Sequence, residues 1–73
     1  MIDVEIERVK LMRYISDRLH FDGITNVVLA NLSSIDPSNV CRILKGRYSP
    51  TVDVLLRLLA VGGYTLTIKK KID

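Results

Sequence analysis

Apolar residues recur every three or four positions through the first part of the chain, which is the spacing of one helix face. This spacing runs over residues 3 to 20, and the apolar stripe, which begins one residue earlier, consists of Ile2, Ile6, Val9, Met12, Ile15 and Leu19. Asp3, Glu5 and Glu7 fall in the first turns, where the helix dipole favours negative charge. Asp22-Gly23 supplies the stop. We therefore predict a long first helix with one apolar stripe facing the core.

Two shorter helical patterns follow, and each begins at a residue suited to capping. Thr25 caps the first, over residues 25 to 32, and its inward residues are Leu29 and Ala30. Asp36 caps the second, and Pro37 stands at the first helical position, where an N–H is not needed. The core residues of this helix are Val40, Ile43 and Leu44, and Gly46 ends it. The serines at 33 and 34 interrupt the pattern, so residues 24–46 predict two short helices joined by a tight turn.

The last third of the chain changes its period. Thr51 caps a fourth helix that ends at Gly62-Gly63, with a broad apolar face of Val52, Leu55, Leu56, Leu58 and Leu59. Residues 64–70 then alternate apolar and polar side chains, which is typical of a strand. Nothing else in the chain resembles a strand, so its hydrogen-bonding partner is expected to be the same strand of a second copy. We predict a homodimer whose interface contains Tyr64, Leu66 and Ile68.

Composition supports a partner and excludes several classes of protein. The 73 residues are 48% apolar, with mean hydropathy +0.23, more than so small a chain can bury. Net charge is +3, which permits nucleic-acid binding without arguing for it. One cysteine and one histidine form neither an intrachain disulfide nor a zinc site. We expect a cytoplasmic protein without signal peptide, membrane span, metal or cofactor.

The third helix carries the residues that suit DNA. A helix in the major groove reads base edges with its N-terminal residues, and the candidates here are Pro37, Ser38, Asn39 and Arg42. An amide pairs with adenine, a guanidinium pairs with guanine, and a proline touches a thymine methyl. The predicted contacts to the DNA backbone flank this helix and are Thr25, Asn26, Lys45, Arg47 and Tyr48. A helical hairpin with a merely solvated polar face has the same periodicity and remains the alternative.

Residues 24 to 59 resemble the Cro/CI-type (XRE) helix-turn-helix family. The matching segments are Ile24-Thr25-Asn26, Leu29-Ala30, the run from Ile35 to Gly46 and the run from Pro50 to Leu56. The resemblance implies a lambda-repressor-like all-α fold of four to five helices, with a C-terminal strand that pairs across a dimer as in the family's small repressors and antitoxins. It also implies base reading by residues 37, 38, 39 and 42, and phosphate contacts by residues 26, 45 and 47.

Three residues depart from the family pattern. Asn26 stands where glutamine is usual, Ser34 stands where the turn usually has glycine, and Pro37 replaces a polar base reader. The serine predicts a looser turn. Outside the matched segment, His20 is expected to cap the carbonyls at the end of the first helix. The lysines at 69 to 71 are expected to form a solvated tail, with DNA-backbone contact as the less favoured role.

The sequence therefore predicts a single domain over residues 1–73 that regulates transcription. We expect a homodimeric repressor that binds a pseudo-palindromic operator in double-stranded DNA and acts by occupying the promoter. One alternative is an antitoxin, which binds DNA and also neutralises a toxin protein. The other is an interaction module that has lost DNA binding. An enzyme is not expected, because no nucleophile or glycine-rich phosphate loop accompanies the carboxylates of Asp17 and Asp22.

Overall fold

The computed structural model describes residues 2–70, which form four helices: α1 Val4–Phe21, α2 Asn26–Ser33, α3 Pro37–Leu44 and α4 Val52–Val61. α2 packs against both α3 and α4, and α3 also packs against α1. All four helices contribute to one core, which consists of Met12, Ile15, Leu19, Leu29, Ala30, Val40, Ile43, Leu44, Leu58 and Leu59. The prediction of a small all-α fold is confirmed.

Each described helix begins at a side chain that accepts a hydrogen bond from a first-turn N–H group. The capping residues are Asp3, Thr25, Asp36 and Thr51, and their acceptor distances lie between 2.8 and 3.3 Å. Because the first N–H groups of a helix have no partner within it, such a side chain fixes the residue at which the helix starts. The helix starts predicted at residues 25, 36 and 51 are therefore confirmed.

Each described helix also ends in the same way, with a left-handed residue just beyond its last turn. These residues are Gly23 (φ 81°), Ser34 (φ 59°), Gly46 (φ 73°) and Gly63 (φ 79°). The N–H of Ile35, the residue after Ser34, donates to the Ala30 carbonyl at 3.2 Å. The residue after each of the three glycines likewise donates to the carbonyl five positions before it. The looser turn predicted from this serine is wrong, because serine has taken the conformation that glycine adopts elsewhere.

The predicted apolar stripe of α1 is only half buried. Met12, Ile15 and Leu19 are buried, but Ile6 is 53% and Val9 42% exposed. Helix geometry explains the difference: residues three apart on an α-helix are rotated by about 60°, so Val9 and then Ile6 lie progressively further round α1 from Met12. At this level of α1 it is Arg8, half-buried and bonded to the Gly46 carbonyl, that faces the end of α3.

The predicted apolar face of α4 is also narrower than expected. Leu58 and Leu59 are buried and Leu55 is half-buried, whereas Val52 and Leu56 are exposed. The exposed pair is rotated about 60° and 100° from Leu55, toward the same side of the helix. The buried face of α4, which packs against α2, therefore stops short of that side. The exposed apolar residues of α1 and α4 are thus available to a partner.

Residues 64–70 form no strand within the part of the chain that the structure describes. A strand needs a neighbour for its N–H and C=O groups, and residues 2–63 supply none. Leu66 is 44% exposed and Ile68 is fully exposed. The strand and its pairing across a dimer stay predictions. Lys71, the last residue of the predicted lysine tail, lies outside the described residues.

Tyr64, the first of the three residues predicted at the dimer interface, is held by hydrogen bonds within its own chain. Its N–H donates to the Leu59 carbonyl at 2.9 Å, and its hydroxyl donates to the carboxylate of Asp22. The Arg18 guanidinium donates to the Tyr64 hydroxyl at 3.4 Å and lies 5.9 Å from the ring centroid. These contacts tie the start of the C-terminal segment to the end of α1. No helix within residues 2–70 is long and apolar enough to cross a bilayer.

Candidate nucleic-acid interface

α3 separates an apolar face from a polar face. Val40, Ile43 and Leu44 are buried against the other helices. Successive residues of an α-helix are rotated by about 100°, so Ser38, Arg42 and Lys45 fall within about 60° of one another on the opposite side. All three are exposed. The helix therefore presents a hydroxyl, a guanidinium and an ammonium group to the outside along one line.

The start of α3 is fixed by the cap that precedes it. Asp36 Oδ1 accepts the N–H of Ser38 at 2.8 Å, and Pro37 occupies the first helical position. Pro37 is exposed, but the helix geometry rotates it about 140° away from Arg42. Of the four residues predicted to read bases, Ser38, Asn39 and Arg42 thus share a face, with Asn39 half-buried, whereas Pro37 lies outside it.

Asn39 and Arg42 contact each other on this face. Arg42 Nη1 donates to Asn39 Oδ1 at 3.4 Å, a long hydrogen bond between residues three apart on one helix. The contact leaves four of the five guanidinium N–H donors and both amide donors of Asn39 unused by it. Arg42 can pair with guanine as it stands, and Asn39 Oδ1, which has two lone pairs, can accept from the amino group of adenine while it still accepts from Arg42.

The main chain of the residues after α3 is held by hydrogen bonds to α3 and to α1. The N–H of Arg47 bonds to the carbonyl of Arg42 at 3.1 Å, and the carbonyl of Gly46 accepts from Arg8 Nε on α1 at 3.2 Å. Gly46 lies so close to α1 that an added Cβ would be 2.9 Å from Val9 Cα. Lys45, Arg47 and Tyr48 project from this anchored loop and are all exposed. Two positive charges therefore continue the line that begins at Arg42.

At the start of α2 the structure places His20 next to the candidate interface, to which the sequence did not assign it. Thr25 Oγ1 is occupied as the helix cap, and Asn26 is half-buried. Asn26 Oδ1 lies 2.8 Å from His20 Nε2, and His20 Nδ1 lies 3.4 Å from Ser16 Oγ. The prediction that His20 caps carbonyls is wrong, because the backbone N–H groups of residues 22–24 already bond to the carbonyls at the end of α1.

α1 thus contributes polar residues next to both ends of the candidate interface. Ser16 and His20 lie beside α2, and a shallow cleft between α1 and α3 is lined by Arg13, Asp17 and Lys45. These polar residues of α1 recur every three or four positions and so form a polar stripe beside the apolar one. That polar stripe is the sequence signal from which the contribution of α1 to the interface could have been predicted. Among residues 2–70, no three His, Cys, Asp or Glu side chains converge as metal ligands would.

Comparison of the chain with protein-family models, with curated proteins and with solved structures gave no match in any of the three.

Proposed function

We propose that the chain binds double-stranded DNA sequence-specifically through a helix-turn-helix formed by α2 and α3. In this proposal α3 enters the major groove, Ser38, Asn39 and Arg42 meet base edges, and Lys45 and Arg47 meet phosphates. The protein then acts as a transcriptional repressor by occupying its site in a promoter.

The observation that carries the proposal is the polar line on α3. A helix of eight residues with three buried apolar side chains needs only a solvated opposite face, and mixed charges would serve that purpose. Instead, Arg42, Lys45 and Arg47 place three exposed positive charges within six residues, with no acidic residue among positions 37 to 47. Positive charge beside groups that hydrogen-bond bases is the combination that DNA recognition requires.

The proposal includes a homodimer. Leu66 and Ile68 are exposed on a segment with alternating side chains, and antiparallel pairing with a second copy would satisfy its backbone groups. Two-fold symmetry would then place two recognition helices about one DNA turn apart, at the half-sites of a pseudo-palindromic operator.

A second candidate function is supported by the exposed apolar residues at the start of α1. Val4 is 70% and Ile6 53% exposed, and neither belongs to the candidate DNA interface. A surface of this kind fits a protein partner, as an antitoxin has in its toxin. Co-purification of one stoichiometric protein with the wild-type chain, and its loss on Ile6→Glu, would favour this candidate.

Selection of binding sites from random-sequence duplex DNA tests the main proposal. We expect the bound pool to converge on one two-fold symmetric sequence with half-sites about 10 base pairs apart. Competition with unselected duplex should leave the selected site bound. A pool that stays random, or binding that unselected DNA displaces equally well, would contradict the proposal.

A further inference from the structure

His20 links the end of α1 to the first residue of α2. Its ring is bonded on both sides, with Nδ1 3.4 Å from Ser16 Oγ and Nε2 2.8 Å from Asn26 Oδ1. Because Asn26 Oδ1 can only accept, Nε2 must carry the ring proton in that contact, and Nδ1 of the neutral ring then accepts from the Ser16 hydroxyl. The three side chains form one chain of hydrogen bonds with a single direction.

This direction matters because a side-chain amide has two unlike ends. A phosphate oxygen only accepts hydrogen bonds, so Asn26 can contact it only with its NH2 group. An unconstrained asparagine presents its oxygen or its nitrogen by rotation of the amide. A donor that occupies Oδ1 selects the orientation in which both N–H groups are left for another acceptor.

We propose that His20 is a positioning residue that orients the Asn26 amide for a DNA phosphate at the N-terminus of α2. This inference rests on the proposed function and adds to it a residue that touches no DNA. The short asparagine side chain has few rotamers. The ring of His20 fixes the remaining choice, which is whether the amide presents its oxygen or its nitrogen.

His20→Phe and His20→Gln form a matched pair for the test. Phenylalanine keeps a planar ring but has no donor, whereas the glutamine amide has an N–H donor at about the reach of Nε2. We expect His20→Phe to weaken binding to a selected duplex about 3- to 10-fold, the range for one lost neutral hydrogen bond. His20→Gln should restore most of the loss. At a pH at which the ring is neutral, the slope of log affinity against log salt should stay unchanged, since no charge is then removed.

A double-mutant cycle with Asn26→Ala separates positioning from a general structural role. If His20 acts through Asn26, His20→Phe has no further effect on affinity in the Asn26→Ala background. Thermal unfolding of each variant checks that the fold is retained. An equal loss in both backgrounds, or full affinity of His20→Phe, would overturn the inference while leaving DNA binding in place.

NMR of the free wild-type protein supplies a readout that needs no DNA. We expect the neutral His20 ring to be protonated at Nε2, and the two Asn26 side-chain amide protons to shift in His20→Phe but not in a Ser34→Gly control. A ring protonated at Nδ1 would overturn the inference. If the wild type binds no duplex at all, the proposed function and the phosphate role of Asn26 fail together, and the NMR result then reports the hydrogen bond alone.

Discussion

Replacement of Gly46 by alanine should destabilise the protein more than the same change at Gly23, although both glycines have positive φ. Gly46 has φ 73° and Gly23 has φ 81°, so an alanine meets a similar backbone strain at each. An added Cβ would meet nothing within 4 Å at Gly23. At Gly46 it would lie 2.9 Å from Val9 Cα and 3.0 Å from Val9 Cγ2. The pair therefore isolates the close approach between α1 and the end of α3.

The magnitudes follow from these distances. An alanine in the left-handed region costs about 1–2 kcal/mol, and the reduced entropy of its unfolded chain offsets about 0.4–1 kcal/mol. We therefore expect Gly23→Ala to lower the free energy of unfolding by about 1 kcal/mol. At Gly46 the clash is with a main-chain atom of α1, which cannot rotate away, so α1 and α3 must separate. Overpacking of this kind adds about 1–3 kcal/mol.

Urea unfolding followed by circular dichroism gives the comparison directly. If the free energy of unfolding falls with urea at the same slope in both variants, Gly46→Ala should reach its unfolding midpoint at a lower urea concentration than Gly23→Ala. Adding Val9→Ala to Gly46→Ala should recover only part of the loss, because it removes the Cγ2 methyl group but leaves the main chain of residue 9 where it is. Midpoints that agree within experimental error for the two single alanine variants would refute the close packing of Gly46 on α1.

The remaining predictions concern the turn, the phosphates and the dimer. Ser34→Gly should raise the free energy of unfolding by about 0.5–1 kcal/mol, because glycine adopts the left-handed conformation of residue 34 without strain. Thermal unfolding should then show a Tm higher by a few degrees, and an unchanged or lower Tm would show that Ser34 is not strained. Lys45→Ala with Arg47→Ala should weaken binding to all sequences alike and flatten the slope of log affinity against log salt by about two units, and an unchanged slope would show that neither touches a phosphate. Thr67→Pro removes one backbone donor from the proposed strand, so sedimentation should detect monomers or a weaker dimer together with weaker operator binding; an intact dimer of unchanged stability would move the interface to the helices.

The helix starts and the glycine-terminated ends were predictable because they depend on local chemistry. Thr25 and Asp36 cap helices through N–H groups two or three residues away. The exposure of Ile6 and Val9 was missed because repeated three-residue steps do not keep to one face: each step rotates the side chain about 60° further round the helix from Met12. Only a mixture of three- and four-residue steps holds an apolar stripe on one side of a helix.

Part of the candidate interface was predictable for the same reason. Ser38, Asn39 and Arg42 share a face because three- and four-residue spacing on a helix fixes their relation. The contact between His20 and Asn26 could not be predicted in this way, because the chain between them ends one helix, turns through Gly23 and starts another. The direction of α2 relative to α1 depends on that turn, and sequence spacing does not report it.

Binding of a selected duplex by Arg42→Ala, compared with Arg57→Ala, tests the central claim most directly. Both variants lose one exposed arginine and the same charge, but Arg42 lies on the polar line of α3 and Arg57 on α4 beside the end of α2. We predict that Arg42→Ala loses about 1–3 kcal/mol of binding free energy and discriminates less at one base pair, while Arg57→Ala keeps wild-type discrimination. Wild-type affinity and discrimination in Arg42→Ala would contradict the assignment of α3 as the helix that reads DNA.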